Sequence, residues 1–195
     1  MDDAHLRALA AKLYERHSEA LDFIFESRPR PTGLVEIVAQ RVSATGGLII
    51  DTESASMLRF APEQWDERLS YRIERKVWTP SGRGLLFEVK SFANKPGRLN
   101  VSLIVGPGDP LYRQALYDAA QARPQLFTGL VKPMGVKFCT IFSRDLLTSE
   151  RATSMTAEAQ ATNLGLAWSD FQATTMPSLI HAVLEIDAEI RTSGD

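Results

Sequence analysis

Apolar residues at spacings of three and four open the chain: Leu6, Leu9, Leu13, Ala20, Leu21, Ile24 and Phe25 predict one amphipathic helix over Asp2 to Glu26. It stops at R-P-R-P, residues 28–31, where proline lacks the amide proton and biases the preceding residue away from helical geometry. Thr32 then offers a cap for a second helix with Leu34, Ile37, Val38 and Val42 inward, ended by Gly46 and Gly47. The period changes next. L-I-I-D-T-E-S (48–54) reads as a short strand with Asp51 near its end, and M-L-R-F-A-P as a second that breaks at Pro62, beyond which Trp65 plugs the core edge and Asp66 caps a turn.

Residues 69–78 alternate Leu69, Tyr71 and Ile73 with Ser70, Arg72 and Glu74, the pattern of a strand with one wet face. T-P-S-G-R-G reverses the chain, G-L-L-F-E-V-K-S-F follows as a strand, and A-N-K-P-G-R leads into L-N-V-S-L-I-V. Three successive antiparallel strands over 69–105 are expected, with Glu88 and Lys90 on one face. G-P-G-D-P is a helix entry with Asp109 as cap and Pro110 in the first turn, and that helix extends to about Ala122. After a loop over 123–137, K-F-C-T-I-F-S-R closes the sheet. From about Met155 to Arg191 the pattern is helical, interrupted at Pro177. The expectation is a single α+β domain over 1–195: an antiparallel sheet of five or six strands, with N-terminal helices and a C-terminal helical segment packed on it.

Composition narrows this further. No apolar run approaches the roughly 18 residues that cross a bilayer, and M-D-D-A-H-L-R lacks the order of a signal peptide, so a cytoplasmic protein is expected. The lone Cys139, in K-F-C-T-I-F, reads as a buried thiol. Net charge is −2, but residues 59–151 carry 15 Lys and Arg against 9 Asp and Glu, so the middle is basic and the ends acidic. Trp65, Trp78 and Trp168 read as core, and His181 as a packed or rim histidine. There is no Walker loop, dinucleotide fingerprint, G-x-S-x-G elbow or metal-ligand cluster.

Five segments in order carry a resemblance: Y-E-R-H-S-E-A-L-D-F-I-F-E-S-R-P, S-M-L-R-F-A-P-E-Q-W-D, W-T-P-S-G-R-G-L-L-F-E-V-K-S, L-N-V-S-L-I-V-G-P-G and T-I-F-S-R-D-L-L-T. Their succession resembles the C-terminal, accessory region of bacterial PD-(D/E)XK nuclease superfamily proteins, in which a nuclease core comes first. Almost nothing precedes the first helix here, so the resemblance implies a chain without that core. It transfers no catalytic residue, and it aligns the Glu88 strand with the accessory sheet.

Two functional readings follow. The first is a non-catalytic binding or interaction module in DNA transactions or defence, contacting DNA through a basic hairpin formed by Arg72, Arg75, Lys76, Arg83, Lys90, Lys95 and Arg98, with no cofactor. The alternative is a Mg²⁺-dependent nuclease in which Asp51 and Glu88 hold the metal and Lys90 orients the attacking water, since such chemistry needs converging carboxylates and a nearby lysine. A structural subunit that partners a separately encoded nuclease, or a homo-oligomer, is the further alternative.

Overall fold

The structure, a computed structural model, describes His5 and residues 12–19, 33–73, 78–129 and 134–193. Residues 1–32 and 33–195 form two compact units. In the first, residues 12–19 are helical, as the spacing predicts; the rest of that helix, R-P-R-P and the Thr32 cap lie outside the described residues.

The second unit is α+β. Its elements are α1 (Leu34–Ala44), β1 (Leu48–Ser54), β2 (Met57–Pro62), α2 (Gln64–Arg68), β3 (Leu85–Phe92), β4 (Lys95–Val105), α3 (Pro110–Gln121), β5 (Cys139–Leu147), α4 (Ser149–Thr153), α5 (Ala157–Asp170) and α6 (Met176–Ser193). The five strands pair antiparallel in chain order, β1-β2-β3-β4-β5. The meander is therefore longer than expected but differently composed. Residues 69–73 and 78–84 contribute a single bridge, Arg72 to Arg83, and β2 takes the place beside β3.

The reason is aromatic. In this arm, Tyr71 and Trp78 each pack on glycines at the end of the sheet, and of the described residues around them only Arg72 and Arg83 pair with each other. Tyr71 lies against Gly84 and Gly108 and donates its hydroxyl to the Gly106 carbonyl at 3.0 Å, while Trp78 lies against Gly106. A Cβ at any of these glycines would collide with the ring above it.

On one face, Leu58, Phe60, Phe87, Val89, Val101 and Leu103 are fully buried. Phe87 is the centre of an aromatic layer: Phe60 stacks on it at 5.3 Å, Trp65 at 5.5 Å, and Phe171 meets it edge-on at 6.0 Å. Trp168 meets Phe60 edge-on at 5.8 Å. Each such pair contributes about 0.5–1.5 kcal/mol beyond its buried area. Trp65 and Trp168 are core, as expected; Trp78 is half-buried.

Helix α1 buries Val35, Val38, Ala39 and Val42, and Glu36 accepts from the Gly33 amide at 3.3 Å. Asp109 caps α3 by accepting from the Leu111 amide at 2.9 Å, with Pro110 in the first turn, as the sequence predicts. The C-terminal helical run is not broken at Pro177. A π-helical turn, Phe171–Thr175, precedes it and the helix continues to Ser193. Widening the turn before Pro177 accommodates a residue that cannot donate and whose ring crowds the preceding turn. Among the described residues no helix is long and apolar enough to cross a membrane.

Candidate functional site

The opposite face of the sheet is polar, and strand register builds it in rows. Arg59, Glu88, Ser102 and Ser143 lie directly opposite one another across β2, β3, β4 and β5, and the next row is Met57, Lys90, Asn100 and Asp145. Glu88 and Lys90 share this face, as strand alternation requires. The loop 134–138 stands beside it as a second wall. That loop is held by Arg113, which is 4% exposed and donates to the carbonyls of Gly135 at 2.6 Å and Val136 at 3.0 Å. Between strand face and loop lies an open groove of about 770 Å³, within the size range of ligand sites.

Its floor is a hydrogen-bonded net. Asn100 donates to Ser143 Oγ at 3.1 Å and to Asp145 at 2.9 Å, and Ser102 donates to Asn100 Oδ1 at 2.7 Å. Glu88 is bound by Arg59 at 2.8 Å, and Arg98 by Asp145 at 2.9 Å. Lys90, on the strand wall, and Lys137, on the loop wall, are exposed and have no carboxylate within ion-pair distance among the described residues. The groove and its immediate partners thus keep two uncompensated cations. Phe92 is covered by the Arg98 guanidinium, 4.9 Å from its ring centre, and by the Lys90 ammonium at 6.0 Å. Phe138, on the loop wall, is 54% exposed. Cys139 lines the groove as a buried thiol, as expected; burial pushes its pKa up, against the pull of Arg113.

A second charge cluster holds the arm. Arg83 reaches Asp51 at 3.3 Å and Asp66 at 2.8 Å, and Arg72 reaches Asp66 at 3.1 Å. The hydrogen bond from Arg83, then that from Arg72, hold the Asp66 carboxyl below its ordinary value, with burial opposing them. The same bond to Asp66 raises Arg83. Asp66 is thus an ion-pair partner for two arginines of the arm.

The expected site residues therefore separate. Asp51, whose side chain is fully buried, belongs to the Arg83 cluster on β1, and Glu88 belongs to Arg59 on β3, with β2 between the two strands. Each carboxylate already has a guanidinium where a shared Mg²⁺ would need both open, and among the described residues no three His, Cys, Asp or Glu side chains converge on a cation position. Asp51 and Glu88 thus each have their own arginine partner, on strands that are not neighbours in the sheet. Of the expected basic hairpin, Arg72, Arg83 and Arg98 are ion-paired. Lys90 and Lys95 are exposed, and Arg75 and Lys76 lie outside the described residues. His181 is exposed and meets Glu185 on its own helix at 3.1 Å.

Sequence reasoning missed Arg59, Asn100, Ser102, Ser143, Lys137 and Phe138. The alternation L-N-V-S-L already puts Asn100 and Ser102 on one face, so that part of the floor was readable. Lys137 and Phe138 carry no local signal, because only the seating of their loop on Arg113 brings them to the groove.

No protein-family model, curated protein or solved structure matches this chain.

Proposed function

We propose that the chain is a non-catalytic binding module that holds DNA against the polar face of its sheet, in DNA transactions or defence. One observation carries this reading: Lys90 and Lys137, without an ion-pair partner among the described residues, both line an open groove whose other charges are neutralised in pairs. Lys95, the exposed first residue of β4, stands in register with Phe92 of the groove and is the third cation of the proposed contact. The non-catalytic part is supported by the separate arginine partners of Asp51 and Glu88, Arg83 and Arg59, which each carboxylate already meets in place of a shared metal ion.

Three lysines that each neutralise a phosphate give a log–log salt slope of about −2 to −3. Affinity should then fall roughly 15- to 65-fold between 50 and 200 mM salt. The test is fluorescence anisotropy of labelled DNA at low salt, with the wild type and with Lys90→Glu combined with Lys137→Glu. Binding by the wild type, and its loss with a flatter salt slope in the double variant, supports the reading. Absence of binding at 50 mM salt ends it. So does Mg²⁺-dependent nicking of plasmid that Glu88→Gln abolishes, which would instead establish the nuclease reading with Asp51, Glu88 and Lys90.

A further inference from the structure

Building on that reading, we infer that the groove takes single-stranded DNA, with unstacked bases against Phe138 and the Phe92–Arg98 pair. Phe138 stands 54% exposed beside Lys137 on the loop wall, and Val136 next to it is 90% exposed. The core does not account for either position. A base has an apolar face and a charged backbone, so an exposed ring with a cation beside it suits one nucleotide.

The strand wall repeats the combination. Phe92 sits at the end of β3 on the same face as Glu88 and Lys90, and the Arg98 guanidinium lies over its ring at 4.9 Å. Arg98 is held there by Asp145, which accepts from its Nε at 3.0 Å and forms an ion pair with its Nη2 at 2.9 Å. A fixed guanidinium plane is itself a stacking surface for a base. Both stations therefore line one groove, with Lys137 next to Phe138 and the Lys90 ammonium 6.0 Å from the Phe92 ring, each placed to meet phosphate.

Shape selects the strand state. The floor runs from β3 through β4 to β5, two strand spacings or about 10 Å. That width suits one strand with its bases splayed. A duplex keeps its base faces stacked inside and offers only phosphates and groove edges, so Phe138 would gain nothing from it. The floor groups Asn100, Ser102 and Ser143 are bonded mainly to one another, which predicts tolerance of sequence rather than base-specific readout.

The test uses the full chain and two probes: fluorescein-labelled oligo(dT) of about 15 nucleotides, within the usual span of single-strand sites, and a duplex of equal length. The wild type should bind oligo(dT) at least about tenfold tighter than the duplex. Phe138→Ala should weaken oligo(dT) roughly 5- to 100-fold, with duplex binding and the thermal midpoint unchanged, and Phe138→Trp should restore it. Duplex binding equal to or tighter than oligo(dT), or an unchanged oligo(dT) affinity in Phe138→Ala, overturns the single-strand assignment. If Lys90→Glu with Lys137→Glu still weakens both probes in that case, the DNA-binding reading stands and only this inference falls. If neither probe binds, both fall.

Discussion

Asp187 on α6 has a side chain with no exposed surface, yet it meets four polar groups. Its carboxylate accepts from the Tyr112 hydroxyl at 2.6 Å, the Ser70 hydroxyl at 2.7 Å and the Ser70 amide at 3.2 Å, and it pairs with Arg191 at 3.1 Å. It thereby ties the arm that begins at Leu69 and the first turn of α3 to the last helix. Tyr112 is stacked on Tyr71 at 4.4 Å, so the bond also fixes the ring pair that covers the end of the sheet. In Asp187→Ala, the charge-assisted bond to Tyr112 is lost, about 1.5–3 kcal/mol. Ser70 and Arg191 reach solvent and rehydrate, so their loss adds about 1 kcal/mol together. Relief from burying a carboxylate offsets part of this, leaving a net loss of about 2–3 kcal/mol. With a urea dependence of about 2 kcal/mol per molar, the unfolding midpoint should fall by about 1–1.5 M. The check is urea denaturation followed by circular dichroism for Asp187→Ala, Tyr112→Phe and the double variant. The double variant should be less destabilised than the sum of the singles by about 1–2 kcal/mol. A shift in Asp187→Ala worth less than about 0.5 kcal/mol, or strict additivity with Tyr112→Phe, would refute the tie.

The glycine under Trp78 gives a second test: in Gly106→Ala the new methyl meets the indole, and the variant should lose about 1–3 kcal/mol and show altered tryptophan emission, whereas Gly46→Ala, with open space around it, should do neither. Equal stability of the two variants would mean that the arm does not seat there. The tyrosines predict a basic limit to stability. Burial raises Tyr71 from 10.0 to about 12. Burial, then the bond to Asp187, raises Tyr112 also. Below pH 10 both folded and unfolded chains keep these protons; between pH 10 and 12 the unfolded chain releases them first, so stability should fall across that window. Urea midpoints taken through it, with the tyrosinate absorbance, check this. Tyr71→Phe should flatten the decline, and an identical decline in that variant would count against it.

Much of the fold could be read along the chain because its cause is local. The strand L-I-I-D-T-E-S, the Asp109-Pro110 entry to α3 and the shared face of Glu88 and Lys90 depend on side-chain alternation and on which backbone groups a residue can satisfy, both properties of neighbours in sequence. Alternation alone does not distinguish a paired strand from an extended arm docked by its aromatics. Residues 69–78 therefore read as a strand, and the glycines that receive Tyr71 and Trp78 lie far enough along the chain to hide the reason. Pro177 likewise reads as a stop, and a single π turn carries the helix past it.

The residue types of the candidate site were visible, but their partners were not. A carboxylate on a strand can face a metal, water or an arginine, and the chain order of Asp51, Arg59, Arg83 and Glu88 does not say which. Register does: it sets Arg59 opposite Glu88, and the arm brings Arg83 to Asp51 and Asp66. Sequence by itself determined the α+β class, the polar alternation of the central strands and the basic middle of the chain. Tertiary structure decided which of those charges neutralise one another and which stay open, because electrostatic pairing is a matter of distance in space, and residues 29 or 32 positions apart meet only once the sheet has formed.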